Sequence, residues 1–246
     1  MSVLSIIKPV AISAVAGGLT DPSRLLTPDP KEVAVKTAAG TFTIDIDLGS
    51  VQTVDAIYLG ALSGAIDFTV TGGAASYTTT AVANLVVAPK LRAVAPRRNL
   101  LHFTAQSWRF IRLTTTTSAA AGFEVGNLVV GDAFRPTWGH EYGGGRGIGD
   151  TGIATRLLSG GFGILPGSKF KTWDFSLGDL TDAELEELFD ILYQLGETSP
   201  AVVCEDPDVT SNLDARIHYG KFGKIDRYER LVPGATRWNL KFEEWV

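Results

Sequence analysis

Hydrophobic and polar residues alternate along several short stretches in the first half of the chain. The clearest stretch runs from Phe42 to Leu48, where apolar residues occupy every second position and Thr43, Asp45 and Asp47 lie between them. This period of two is typical of a β-strand with one buried face. About eight such stretches, separated by turn-rich segments, precede residue 135, and no convincing helical pattern lies among them. We therefore predict an antiparallel sandwich or jelly roll for this half.

The beginning of the chain lacks this alternation. Residues 1–40 contain turn signals such as Asp29-Pro30, and we predict that they are irregular. Gly49 follows the strand that ends at Leu48, and we expect it to turn the chain there, because glycine adopts tight-turn conformations without steric cost.

The second half combines strand patterns with one helix. Large apolar residues alternate with polar ones over residues 171–177. Thr181 and Glu184 then have the spacing of a capping box, which satisfies free backbone N–H groups at a helix start. An apolar stripe at helical spacing follows, made of Leu185, Leu188, Phe189 and Leu192. We predict a helix over about residues 182–195, laid across a small β-barrel or sandwich.

The charge of the chain is unevenly distributed. The net charge is −5 over 246 residues. Residues 1–135 contain 11 basic and 9 acidic residues, whereas residues 136–246 contain 11 and 18. The acidic run within residues 174–190 contains no lysine or arginine, and it is interpreted either as a solvated helix face or as a surface that repels DNA. The balance argues against specific nucleic-acid binding.

We expect neither a membrane-spanning segment nor an internal disulfide. No apolar run approaches the roughly 20 residues that span a bilayer, so we predict no membrane insertion. The first ten residues lack the pattern of a signal peptide. Cys204 is the single cysteine, which excludes an internal disulfide and favours a reducing compartment.

A glycine-rich segment separates the two halves. Seven glycines fall between Gly139 and Gly152, but the Walker lysine and serine and a surrounding Rossmann unit are missing, so we predict no nucleotide site. His140-Glu141 is not followed by a second histidine at metalloprotease spacing. Glycine at this density marks a backbone that is either flexible or tightly approached by other groups, and we predict that this glycine-rich segment pairs with a neighbouring copy. The residues predicted for that oligomer interface are Tyr142, Arg146, Ile148 and Phe162.

The sequence shows no converging set of catalytic groups. His102, His140 and His218 lie in separate segments without partner motifs, and no serine-centred nucleophile elbow is present. Cys204 lies in an apolar strand, where a buried, inert thiol is expected. The acidic residues 205–208 lack the spacing of an EF-hand. We predict no catalytic residue, no cofactor and no metal site, and hence a protein that is not an enzyme.

Three segments of the first half share motifs with a known fold family. The motifs are Asp47-Leu48-Gly49 with Val54 and Ile57, Arg109-Phe110-Ile111-Arg112-Leu113, and the closing strand over residues 123–131. In this order they resemble galactose-binding-like (discoidin-type) jelly rolls, which implies that fold for residues 1–135. The resemblance carries over no ligand residues. We expect Trp108 to pack in the core, with a sugar-stacking platform as the open alternative.

The second half has a recognisable order of features. A closing strand over residues 125–134 is followed by the glycine-rich segment, a strand with Trp173, the helix motif at residues 180–188, an apolar strand ending at Asp208, and terminal strands. This order resembles minor or distal tail proteins of long-tailed bacteriophages, although the better-known ones place the tube-like domain first. The resemblance implies a jelly roll at residues 1–135 and a tail-tube-like β-domain at residues 136–246.

The resemblance also implies a function. It implies a structural ring protein of the virion tail tip, with a hexamer as one option, that joins the tail tube to the distal hub and is assembled in the host cytoplasm. The implied partners are copies of itself, the tail tube protein, the tail hub and the tape measure protein. The alternative is a carbohydrate-binding module of a phage tail that recognises a host surface glycan.

Overall fold

The computed structural model divides the chain into two compact units. It describes residues 4–77, 80–86, 97–141, 143–208, 213–232 and 235–245. The first unit comprises Met1–Gly139 and Pro200–Tyr219, and the second comprises His140–Ser199 and Gly220–Val246. The units differ from the predicted domains mainly in the segment from Pro200 to Tyr219. This segment belongs to the first unit because its strand pairs with the N-terminal strand.

The chain is mainly β, as predicted, and every strand pairing given below is antiparallel. The strands are β1 Ser5–Pro9, β2 Ala14–Gly17, β3 Ala34–Lys36, β4 Thr43–Leu62, β5 Asp67–Gly73, β6 Thr80–Val86, β7 Arg97–Thr115, β8 Phe123–Val125, β9 Leu128–Phe134, β10 Gly145–Asp150, β11 Ile153–Arg156, β12 Phe162–Leu165, β13 Lys169–Gly178, β14 Ala201–Cys204, β15 Ile217–Phe222, β16 Glu229–Val232 and β17 Ala235–Glu244. The helices are a 3-10 helix Pro22–Leu26, α1 Asp182–Leu195 and α2 Leu213–Arg216.

The first unit is a jelly-roll-type β-sandwich. Its main sheet has the strand order β14-β1-β9-β4-β7-β5-β6, with β2 on β4, while β3 and β8 form a separate pair. Both halves of β4 contribute to one core cluster, for example Ile46 from the first half and Ile57 from the second. The long strand therefore curves around the core, which bulges in its pairing with β7 permit.

The predicted turn at Gly49 is wrong, since the chain continues there within β4. Gly49 has φ +79° and donates its N–H to Asp47 Oδ1 at 2.8 Å. The register with β7 shifts between Asp47 and Gln52. Glycine supplies the left-handed conformation of a bulge, which bends the strand without ending it.

The prediction that residues 1–40 are irregular is also wrong. β1 lies between β9 and β14, and Ile6 faces Phe134 on one side and Val203 on the other. Ile6 and Ile7 are both fully buried. A short strand covered on both faces lacks the polar alternation that reveals a half-buried strand.

The second unit contains a sheet in the order β10-β13-β17, with β16 and the last three residues of β15 also paired to β17. The capping box of α1 is confirmed, because Thr181 accepts from the Glu184 N–H and Glu184 accepts from the Thr181 N–H. The buried side of α1 consists of Leu185, Leu188, Ile191, Leu192 and Leu195. Phe189, predicted on this stripe, is 46% exposed, because the buried stripe runs along the Ile191 side instead.

Candidate functional site

A β-hairpin of the second unit exposes large apolar side chains. We call residues 153–165 the arm; it consists of β11, β12 and their connecting loop. These two strands form a sheet of their own. The exposed large apolar residues of the arm are Ile153, Leu157, Leu158, Phe162, Ile164 and Leu165. Contiguous exposed apolar surface of this kind marks interaction sites, because burying it is favourable.

Backbone contacts hold the base of the arm. The Thr151 N–H donates to Ser168 O at 3.1 Å, and the Ser168 N–H donates to Thr151 Oγ1 at 2.9 Å. The Gly152 N–H donates to Asp150 Oδ1 at 2.7 Å. A Cβ at Gly167 would overlap the backbone at Gly152, so glycine at 167 permits the two chains to approach closely.

The two faces of the arm carry different side chains. Arg156 pairs with Phe162 across the hairpin, and Ala154 pairs with Ile164. Because side chains alternate along a strand, these four residues share one face. The Arg156 guanidinium lies 6.0 Å from the centre of the Phe162 ring. The face therefore presents a cation beside apolar surface.

The predicted interface residues lie on exposed elements of this unit. Arg146 and Ile148 lie on β10, where they pair with Trp173 and Lys171 of β13. Phe162 lies on the arm and is 62% exposed. Tyr142 lies outside the described residues. Part of the glycine-rich segment, residues 145–150, forms the strand β10, where a Cβ at Gly149 would overlap the Phe170 ring, as the predicted close approach of the backbone requires.

Most of the exposed residues of the arm were not predicted from the sequence. The exposed residues Ile153, Leu157, Leu158, Ile164 and Leu165 were not predicted to lie at an interface. The signal that could have identified them is the high proportion of apolar residues in residues 153–165, a segment that is also rich in glycine. A pattern of hydrophobic residues predicts burial, and it does not say whether the same chain or a partner provides the cover.

A second candidate surface lies on the first unit. Arg112 forms a bidentate ion pair with Asp45 at 2.6 and 2.7 Å. Its guanidinium lies 5.0 Å from the centre of the Tyr77 ring, which is itself 5.0 Å from the Phe110 ring. Arg109 lies over Phe110 at 4.6 Å. We call these residues, together with Asp47, the aromatic–arginine patch.

The ion pairs fix the charges of this patch. Arg109 donates to both oxygens of Asp47 at 2.8 and 3.0 Å. These hydrogen bonds, followed by the one from the Gly49 N–H, hold the pKa of Asp47 below its usual value. The patch thus combines partly exposed rings with fixed hydrogen-bonding groups, which is the chemistry that binds a sugar ring and its hydroxyls.

Trp108 does not take part in that surface. It is 3% exposed, and its ring stacks on Phe103 at 5.5 Å. A Cβ at Gly72 would lie 2.5 Å from the Trp108 ring, so the ring packs directly on that backbone. The core-packing interpretation is confirmed, and a sugar-stacking platform at Trp108 is excluded.

The histidines lie in three different environments. His218 is buried and lies 2.6 Å from Glu205. His102 contacts Arg135, and the His140 ring packs edge-on against Trp173 at 5.6 Å. The Glu205 and Arg135 partners come from other strands or segments and could not be inferred from sequence motifs.

The single cysteine, Cys204, is buried. Burial raises the pKa of the Cys204 thiol to about 12, so the thiol is protonated at neutral pH. Among the residues that the structure describes, no cluster of three or more histidine, cysteine, aspartate or glutamate side chains could hold a metal ion. In the same part of the chain, no helix has the length and apolar character to cross a bilayer.

A shallow concavity of about 340 Å³ also lies on the second unit. Its lining consists of Phe170, Lys221, Glu243, Glu244 and Trp245. Lys221 lies 3.5 Å from Glu243, and Lys171 lies 3.5 Å from Glu244. The two carboxylates among these described lining residues therefore already have cationic partners.

Comparison with known proteins gives structural likenesses only. No protein-family model matches the sequence, and no curated protein matches it. One similar solved structure is the CBM32 of AlyQ in complex with 4,5-unsaturated mannuronic acid, with 19% identity, a TM-score of 0.41, and coverage of 50% of this chain and 96% of that one. Another is a chitosan-binding module 1 derived from a chitosanase/glucanase of Paenibacillus sp. IK-5, with 16% identity, a TM-score of 0.36, and coverage of 50% and 97%.

A third similar structure is CBM32-3 from a family 31 glycoside hydrolase of Clostridium perfringens. Its identity is 11% and its TM-score 0.40, and the match covers 50% of this chain and 90% of that one. These neighbours are carbohydrate-binding modules.

Proposed function

We propose that this protein is a structural component of a bacteriophage tail tip, which assembles with copies of itself into a ring that joins the tail tube to the distal hub. The observation that carries the self-assembly is the arm, whose large side chains are exposed on both of its faces. The placement in a phage tail is supported by the order of sequence features in the second half.

Burial of the arm by a neighbour would be favourable. An isolated two-stranded hairpin is at best marginally stable in water. Burying one large aliphatic or aromatic side chain contributes about 1.5–3 kcal/mol. Six such residues can therefore offset much of the roughly 4–15 kcal/mol lost in rigid-body freedom on association. Repetition of the contact through a rotation would close a ring.

The experiment measures the mass of the assembly in solution. We expect the wild-type protein to sediment as a closed oligomer, and the double variant F162S/I164S to dissociate with a dissociation constant raised about 100-fold, or roughly 2.7 kcal/mol. The matched control is V51S, which removes an exposed apolar side chain from the first unit. A wild-type protein that remains monomeric at high concentration would contradict the proposal.

A second candidate function is carbohydrate recognition, which the aromatic–arginine patch favours. Its rings can contact the apolar face of a sugar, while Arg109 and Arg112 offer donors to hydroxyl groups. On a glycan array, we expect retention that Y77A reduces at least 10-fold. W138A removes another exposed aromatic residue of the same unit and should leave retention unchanged. Absence of retention by the wild-type protein would exclude this function.

A further inference from the structure

The outer face of helix α1 is acidic and partly apolar. Residues 179–197 contain seven carboxylates and no lysine or arginine. Phe189 and Tyr193 are 46% and 84% exposed, and Glu186 and Asp190 are exposed as well. These four residues lie at helical spacings of three and four, so they form one continuous surface. We call it the acidic helix face.

A helix of this length does not need such a surface for its own stability. Its opposite side buries five apolar residues, and its N-terminus is closed by the capping box. Carboxylates favour the first turn of a helix through the macrodipole, but that effect fades within one turn. The carboxylates of Glu186 and Asp190 lie beyond that first turn, so the dipole does not account for them.

The arm has the complementary chemistry. Its Arg156 face presents a cation next to Phe162 and Ile164. Residues 145–165 contain two arginines and one aspartate, Asp150, which accepts a hydrogen bond from Gly152. Two surfaces that each combine apolar side chains with charge, of opposite sign, match in both respects.

We propose that the arm of one copy docks on the acidic helix face of a second copy, with Arg156 between Glu186 and Asp190 and with Phe162 and Ile164 against Phe189 and Tyr193. This inference rests on the proposed self-assembly and names the surface that receives the arm. The two surfaces are different, so the contact is heterologous, which produces rings or open chains of copies. The second copy is the occupant because it carries both complementary surfaces.

The proposed docking should depend on the salt concentration. Charged groups at the edge of an apolar contact are screened by salt. Association through the arm should therefore weaken as sodium chloride rises from 0.05 to 0.5 M. A contact made by apolar residues alone would strengthen or stay constant over the same range.

The experiment is a charge swap measured by sedimentation equilibrium on the full chain. We expect R156E to weaken association at least 10-fold, and E186R/D190R to weaken it similarly. The triple variant R156E/E186R/D190R should restore association to within about 3-fold of the wild type, because the charges again oppose each other. K31E reverses an exposed charge on the first unit and should leave association unchanged. Circular dichroism confirms that each variant is folded.

The outcomes separate this inference from the proposed function. If the wild type assembles and F162S/I164S dissociates, but E186R/D190R has no effect or the triple variant is not restored, the arm docks elsewhere and this inference is wrong while the self-assembly stands. If the wild type is monomeric, both fail. If K31E weakens association as much as R156E does, the effect is one of net charge, and the docking is overturned.

Discussion

A valine in place of Gly131 is expected to lower the free energy of unfolding of the first unit by about 4 kcal/mol or more. Gly131 lies in β9, where it pairs with Pro9 of β1 on one side and Ala56 of β4 on the other. A Cβ at this position would overlap the carbonyl oxygen of Lys8 and lie 2.8 Å from Ile7 Cγ2. Because β9 is held between two strands, neither the backbone nor the neighbour can move away without breaking a ladder.

Urea denaturation followed by tryptophan fluorescence measures this effect. The matched control is Gly145→Val in β10, where a Cβ would meet no heavy atom within 4 Å. Because a side chain at position 145 meets no neighbour, Gly145→Val should change the free energy of unfolding by less than about 1 kcal/mol. Equal midpoints for Gly131→Val and the wild type would contradict the close approach of β1 and β9.

The sequence could predict the helices and strands that have one buried face and one solvated face. The alternation from Phe42 to Leu48 and the stripe of α1 both arise because one face is buried and the other is solvated. The capping box at Thr181 likewise depends on residues three positions apart. In each case the information lies within one element, so no partner needs to be known.

Strands that are buried on both faces, or that continue through a glycine, could not be predicted in this way. β1 is buried on both faces and its residues show no polar alternation. β4 passes through Gly49 without ending, because its partner β7 continues alongside it. Whether a glycine ends a strand or only bends it depends on that neighbour, which local sequence does not identify.

The aromatic–arginine patch and most of the arm were not predicted from the sequence, and the reason is a different one. The aromatic–arginine patch joins Asp45 to Arg112, which are 67 positions apart, so it exists only once β4 and β7 are paired in register. Apart from Phe162, the exposed apolar residues of the arm were not predicted to lie at an interface, because hydrophobic patterns are read as evidence of burial and these residues are exposed. Phe189 was assigned to the buried side of α1 for the same reason.

Acidification is expected to destabilise the first unit through His102. Burial, followed by the nearby charge of Arg135, lowers the pKa of His102 to about 3. Arg135 Nη2 lies 2.7 Å from His102 Nδ1, so Nδ1 acts as the acceptor and the neutral ring carries its proton on Nε2. A second positive charge there would be both buried and repelled.

The direction of the pH effect follows from proton binding. In the unfolded chain His102 has an ordinary pKa near 6.5, so between pH 6.5 and 3 the unfolded state binds a proton that the folded state does not. Above pH 6.5 His102 is neutral in both states, and the free energy of unfolding is not reduced by its titration. As the pH falls below 6.5, the unfolded state gains a proton and the free energy of unfolding decreases. Each pH unit corresponds to about 1.4 kcal/mol at most, and we expect a loss of about 2 kcal/mol between pH 6.5 and 4.5.

Urea denaturation at several pH values, on the wild type and on His102→Asn, isolates this contribution. Asparagine keeps an oxygen acceptor for Arg135 but does not titrate. The neighbouring Asp55 acts in the opposite sense, because burial raises its pKa and the folded state then binds its proton more readily. Asp55 is present in both proteins, so the difference between their slopes reports His102. If the wild type and His102→Asn lose stability in parallel from pH 6.5 to 4.5, then His102 is protonated as easily in the folded state as in the unfolded one, and the buried contact with Arg135 does not exist in solution.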